Sequence, residues 1–99
     1  MEILYRRCAA LDIHEKSIAV CARIVRGRQV EVEHARFETF TPDLEALGQW
    51  LRQRRIRRVA MESTGIYWRP VWNILEQHPG GFDLILLNPQ HVKALPGHK

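Results

Sequence analysis

No stretch of this chain approaches the roughly 18 consecutive apolar residues that a membrane-spanning helix needs. The start, Met1-Glu2-Ile3-Leu4-Tyr5-Arg6-Arg7, lacks the apolar run of a signal peptide. Both absences point to a cytoplasmic, nucleoid-associated protein with no membrane partner. Cysteine is scarce: Cys8 and Cys21 are the only two. A hairpin turning at His14-Glu15 would set them face to face across two strands. In a reducing compartment two thiols read as buried side chains, not as a disulfide framework. Repeats, linkers and low-complexity segments are absent, and 99 residues allow one small domain. Five histidines (His14, His34, His78, His91 and His98) fall without a zinc-ligand spacing. Acid is the minority charge, 11 Asp and Glu against 15 Lys and Arg. Five of those 15 cations, Arg52, Arg54, Arg55, Arg57 and Arg58, lie within seven consecutive residues. A basic surplus of this kind fits a polyanionic partner.

What is present is a regular alternation of apolar segments and turn signals. Arg7 to Ile13 is apolar on both faces and reads as a central strand. Ser17 to Val25 is rich in β-branched residues and reads as a second strand. Gly27 suits a tight turn into a third, Gln29 to Phe37. There Val30 and Val32 share one parity while Ala35 and Phe37 share the other, which predicts a bulge near His34. Thr41-Pro42-Asp43 opens a helix, with Thr41 as cap and Leu44, Leu47 and Leu51 as its buried stripe. Val59 to Glu62 reads as a fourth strand. Pro70 requires the next helix to begin near Ile66 or later, with Val71, Ile74, Leu75 and His78 facing inward. Pro79-Gly80-Gly81 ends it, Phe82 to Leu87 is a fifth strand, and Asn88-Pro89 closes that. Gln90 to Lys99 starts another helical pattern that Pro96-Gly97 interrupts. The order β-β-β-α-β-α-β predicts a mixed sheet covered by helices, with its antiparallel part first.

Two acids stand out against this frame. Asp12 and Glu62 each end an apolar strand, and a carboxylate there needs a cation, a proton or strong donors. Brought together on adjacent strands, they would form part of a divalent-metal site. Kept apart, Asp12 caps a turn and Glu62 pairs with a nearby arginine. Ser63 and Thr64, at the strand-to-helix turn, lack an evident base and read as caps rather than nucleophiles. Tyr67, Trp68 and Trp72 are core aromatics or platforms for stacked bases. The arginine cluster is a solvated helix end or a phosphate contact.

Three segments also resemble a known family. Leu11-Asp12-Ile13-His14-Glu15-Lys16, Met61-Glu62-Ser63-Thr64-Gly65-Ile66-Tyr67-Trp68 and Asn88-Pro89-Gln90-His91-Val92-Lys93 are similar to the DEDD transposases, the insertion-sequence family numbered one hundred and ten, with the Piv-type DNA invertases. The element order resembles the ribonuclease H-like fold in its RuvC-like form. The resemblance implies an α/β fold of that kind over 1–99, the amino-terminal part of a catalytic domain. It implies DNA strand cleavage and joining with Mg²⁺ or Mn²⁺, and places Asp12 and Glu62 as catalytic, metal-holding acids. The family's other two acids lie in a Thr-Asp-x-x-Asp-Ala motif after a Gly-x-Lys segment, and the sequence stops at Gly97-His98-Lys99. Two acids leave most of the coordination to water, so weak metal binding is expected. DNA is the implied partner, contacted by Arg52, Arg54, Arg55, Arg57, Arg58, Tyr67, Trp68 and Lys93. A structured guide RNA is implied alongside it. Apolar surface left beside the first and fourth strands leads to an expectation of self-association. A Holliday-junction resolvase-like nuclease and a non-catalytic module that pairs with a full-length transposase are the competing readings.

Overall fold

The computed structural model describes residues 6–87. The elements follow in the predicted order: β1 (Arg7–Ile13), β2 (Ser17–Arg26), β3 (Gln29–Glu38), α1 (Thr41–Gln53), β4 (Arg58–Ser63), α2 (Trp68–Gln77) and β5 (Asp83–Leu87). The strands make one five-stranded sheet in the order β3-β2-β1-β4-β5. β1, β2 and β3 pair antiparallel, while β4 pairs parallel with both β1 and β5. This mixed α/β sheet is the expected ribonuclease H-like arrangement, with β1 at its centre.

The chain's alternation dictates which residues go inward. Ala9, Leu11 and Ile13 on β1, Ile18, Val20 and Ala22 on β2, and Val59 and Met61 on β4 are all buried on one face. Leu44, Leu47 and Leu51 of α1 and Val71 and Leu75 of α2 close over that face and complete a single core. Pro70 falls in the first turn of α2, where its missing N–H costs no helical bond. Gly27 leads the two-residue β2–β3 turn with φ of +61°, the conformation a II′ hairpin asks of its first central residue. None of the helices among the described residues is long and apolar enough to cross a membrane.

Several local expectations fail. The β2–β3 register runs without interruption from Ser17↔Glu38 to Arg26↔Gln29, so β3 has no bulge at His34. Its apolar residues instead serve two faces. Phe37 packs edge-on against Trp50 of α1, with ring centroids 6.2 Å apart, while Val30 and Val32 lie on the opposite face and are half exposed. Cys8 pairs with Arg23 and Cys21 with Ala10, so the two cysteines are diagonal neighbours, both free. Thr41 is the first helical residue, Phe40 takes the cap position, and Asp43 accepts from the backbone N–H of Glu38 at 3.2 Å. Asn88-Pro89, the segment Gln90 to Lys99 and its residues His91, Lys93 and His98 lie outside the described residues.

Candidate functional site

Parallel pairing of β1 with β4 sets Asp12 directly opposite Glu62. Neighbouring strands lie about 4.8 Å apart and side chains alternate faces. Leu11, Ile13 and Met61 enter the core, so both acids project from the other face, which no helix covers among the described residues. Both sit at the carboxyl ends of their strands. The Thr64 N–H donates to the Ile13 carbonyl at 3.2 Å, which ties those two ends together just beyond the acids. Gly65 holds φ of +58°, a left-handed conformation that lets the chain leave β4 sharply for α2.

The two acids differ in company. His14 Nε2 stands 3.3 Å from Asp12 Oδ2, and both side chains are more than half exposed. The Glu62 side chain has no ion pair or hydrogen bond among the described residues. The expected alternative, an arginine partner for Glu62, is not what forms. Arg58 lies on the same face and strand but reaches Asp83, Nη1 to Oδ2 at 3.6 Å. Asp12 and Glu62 line a shallow groove of about 250 Å³ with Ala10, Ala19, Cys21, His34, Ala60 and Leu87. Among the described residues there is no group of three or more His, Cys, Asp or Glu placed to hold a metal ion. The donors here are two carboxylates, the hard oxygen ligands that Mg²⁺ takes, so the set fits a sparsely ligated ion.

Tertiary contacts divide the arginine cluster. Arg52 donates through Nη2 to the carbonyls of Pro79 at 2.7 Å and Gly81 at 3.0 Å, and lies over the Phe82 ring. Arg54 pairs with Glu33 at 2.9 Å, donates to the Trp50 carbonyl at 3.0 Å and stacks 3.9 Å above the Trp50 ring. These two tie α1 to the α2–β5 loop and to β3. Arg55 and Arg57 are exposed, whereas Arg58 belongs to the other side of the sheet. Trp68 and Trp72 meet edge-to-face at 5.8 Å and pack on the core, while Tyr67 is exposed. Ser63 and Thr64 do not cap α2, which starts five residues after Ser63. The Ser63 hydroxyl donates instead to the Thr64 carbonyl at 3.1 Å.

The family model for DEDD transposases of the IS110 group, described as "Transposase", matches residues 9–99. This chain belongs to that transposase family. The match takes in both β-strand acids of this transposase-family chain and nearly all of the domain. No curated protein is similar enough in sequence to count as a match. Among solved structures, the Ppx/GppA family member of Aquifex aeolicus is similar at 11% identity and a TM-score of 0.55, over 86% of this chain and 36% of that one. An exopolyphosphatase from Cytophaga hutchinsonii is similar at 7% identity and a TM-score of 0.57, over 87% of this chain and 35% of that one. The chain thus spans about a third of the length of those structures, and at such identities the likeness is one of fold alone.

The sequence pointed to Asp12 and Glu62 but missed the small residues of the groove, Ala10, Ala19 and Ala60. Counting back two residues from each acid finds Ala10 and Ala60 on the same face. Arg23 also escaped notice. Its Nη1 is buried and has no hydrogen-bond partner among the described residues.

Proposed function

We propose that residues 1–99 carry the first two acids of a RuvC-like transposase catalytic domain, which cuts and joins DNA with Mg²⁺ or Mn²⁺. The observation that carries this reading is the in-register placement of Asp12 and Glu62 on neighbouring parallel strands, with Glu62 uncommitted to any cation among the described residues. When bound, such ions activate the attacking oxygen and stabilise the leaving one in phosphoryl transfer. Asp12 and Glu62 would hold the ion, with His14 orienting Asp12. The small side chains of Ala10, Ala19 and Ala60 leave the approach to the acids open. An RNA partner belongs to the same reading through the family.

The test is an electron-paramagnetic-resonance titration with Mn²⁺, whose free signal falls as it binds. Wild-type chain binds weakly, and Asp12→Asn and Glu62→Gln each lower the affinity by about tenfold or more. Equal affinity in all three proteins sinks the assignment.

For DNA, Arg55 and Arg57 are the members of the cluster free to reach phosphates. Replacing both by Gln removes two contacts. Each lost contact flattens the dependence of log affinity on log salt by about 0.9 on duplex DNA. Arg54→Ala acts differently, lowering thermal stability by about 1–2 kcal/mol through its lost pairing with Glu33 and Trp50. A salt dependence that is unchanged when Arg55 and Arg57 are neutralised removes them from the interface.

A further inference from the structure

The row of residues that crosses the sheet through the two acids is lopsided in charge. In register across β3, β2, β1, β4 and β5 it reads Arg36, Ala19, Asp12, Glu62 and Leu87, all on the acid-bearing face. On the β5 side that face ends in Leu87 and Ile85, both apolar and exposed. On the β3 side it ends in Arg36 and, two residues back, His34, which lines the same groove as Asp12 and Glu62. Arg36 is exposed, and its Nη2 donates to the Ser17 hydroxyl at 3.1 Å. Ser17 opens β2 at the end of the sheet where β1 carries Asp12, so this bond draws the guanidinium toward the acid end. The Ser17 hydroxyl is a neutral partner, and Arg36 makes no ion pair among the described residues. Most of its five N–H donors stay available. Two strand spacings, about 10 Å, separate the backbones of Arg36 and Asp12. That is close to the screening length of physiological salt, so Arg36 does not act as the counter-ion of the acid. The arginines after α1 cannot take its place beside the acids. Arg57 precedes Glu62 by five residues, roughly 16 Å along an extended strand, and lies toward the opposite end of β4.

We infer that Arg36 is a phosphate contact for the DNA strand at the acids, seating a phosphate that flanks the one at Asp12 and Glu62. The inference rests on the transposase reading proposed above and adds the direction in which the strand leaves the site, over Ala19 of β2 toward β3. Carboxylates repel a phosphate, so a cation near them has to supply the attraction. A planar guanidinium with unspent N–H donors matches phosphate oxygens in a fork. Ala19 lies between Arg36 and Asp12 in the row, and its single methyl group leaves room for a sugar-phosphate backbone to cross β2. The opposite direction is disfavoured, because Leu87 and Ile85 would strip water from phosphates without offering a donor. His34 gives a further ring nitrogen beside the path over β2. Arg36 holds the strand and takes no part in the bond changes.

The test is fluorescence anisotropy of a labelled DNA duplex with the full chain, titrated with salt in metal-free buffer and then with Mn²⁺ present. In metal-free buffer Arg36→Gln flattens the slope of log affinity against log salt by about 0.9, the value of one phosphate contact. Arg36→Lys keeps the slope, since a point charge still neutralises one phosphate. Arg28→Gln, the same change in the exposed turn at the far end of the β2–β3 hairpin, leaves the slope unaltered. A slope indifferent to Arg36→Gln overturns the inference. So does an equal effect from Arg28→Gln, which would make both of them general surface charge. A chain that binds no duplex at low salt overturns it as well. The Mn²⁺ arm reads the metal assignment separately. If Mn²⁺ raises affinity, Asp12→Asn abolishes that gain and Arg36→Gln changes nothing, the Arg36 contact alone is lost. A slope that depends on Arg36 with no gain from Mn²⁺ supports the contact and removes the metal.

Discussion

Leu47→Ala lowers the unfolding free energy by about 2–5 kcal/mol, one of the two largest effects the structure predicts. Leu47 is fully buried and sits in the middle of the α1 stripe, between Leu44 and Leu51. Truncation forfeits the transfer energy of the lost methyl groups and leaves a cavity under a helix that its neighbours hold in place. Arg54 pins the end of α1 to β3, and Arg52 pins it to the loop after α2. The helix therefore has little freedom to sink into the gap. The cost falls on a domain with one core under one helical layer, where total stability is commonly about 5–15 kcal/mol. In thermal unfolding followed by circular dichroism this appears as a drop on the order of 10–30 °C. A loss below about 1 kcal/mol would mean that α1 does not cover the sheet as described.

Gly48→Ala destabilises by about 1–3 kcal/mol, against the direction of helix propensity. In a helix interior, Ala is favoured over Gly by about 1 kcal/mol, so propensity alone predicts a gain. The structure reverses the sign because a Cβ on Gly48 would lie 2.6 Å from His78 Cδ2 and 3.0 Å from its Nε2. The His78 ring has limited room to retreat. Phe82 lies against it at 5.6 Å between centroids, and its Nδ1 is 3.2 Å from the Pro79 carbonyl. Removing the obstacle should restore the propensity term. In a His78→Ala background, Gly48→Ala is expected to stabilise by about 1 kcal/mol. Urea unfolding of the four proteins reads both signs. A gain from Gly48→Ala in the native background would show that α1 and α2 do not meet at this point.

The elements were legible in the sequence because each carried its own period and punctuation. Val59-Ala60-Met61 is a short apolar run bounded by charge, Leu44, Leu47 and Leu51 keep helical spacing, and Pro79-Gly80-Gly81 can only be a break. Asp12 and Glu62 were legible as acids at strand ends. Their direct opposition is a matter of pairing across 50 positions of chain, which no local pattern encodes; the family resemblance supplied it. Register was less accessible for the same reason. Cys8 and Cys21 miss each other by two residues because the β1–β2 hairpin pairs Ala10 with Cys21, and that offset depends on where the turn closes.

The arginine run is uniform in sequence but not in surroundings. Five similar side chains within seven residues look like one surface, yet three of them have distant partners: Glu33 for Arg54, Pro79 and Gly81 for Arg52, Asp83 for Arg58. The false bulge at β3 has a related origin. A change of apolar parity along a strand means an extra residue only if a single face is covered along its whole length. β3 passes from under α1 to beyond it, so Phe37 and Val32 answer to different neighbours.

The central claim is that Asp12 and Glu62 together form a divalent-metal site at the ends of β1 and β4. The most direct measurement is paramagnetic line broadening of backbone amide signals in nuclear magnetic resonance as Mn²⁺ is added in small amounts. The account predicts that broadening begins at residues 12–14 and 62–64 together, and that Asp12→Asn with Glu62→Gln removes it from both strands at once. Broadening centred instead on Glu31 and Glu33 of the edge strand, or spread evenly over the exposed acids, would contradict it.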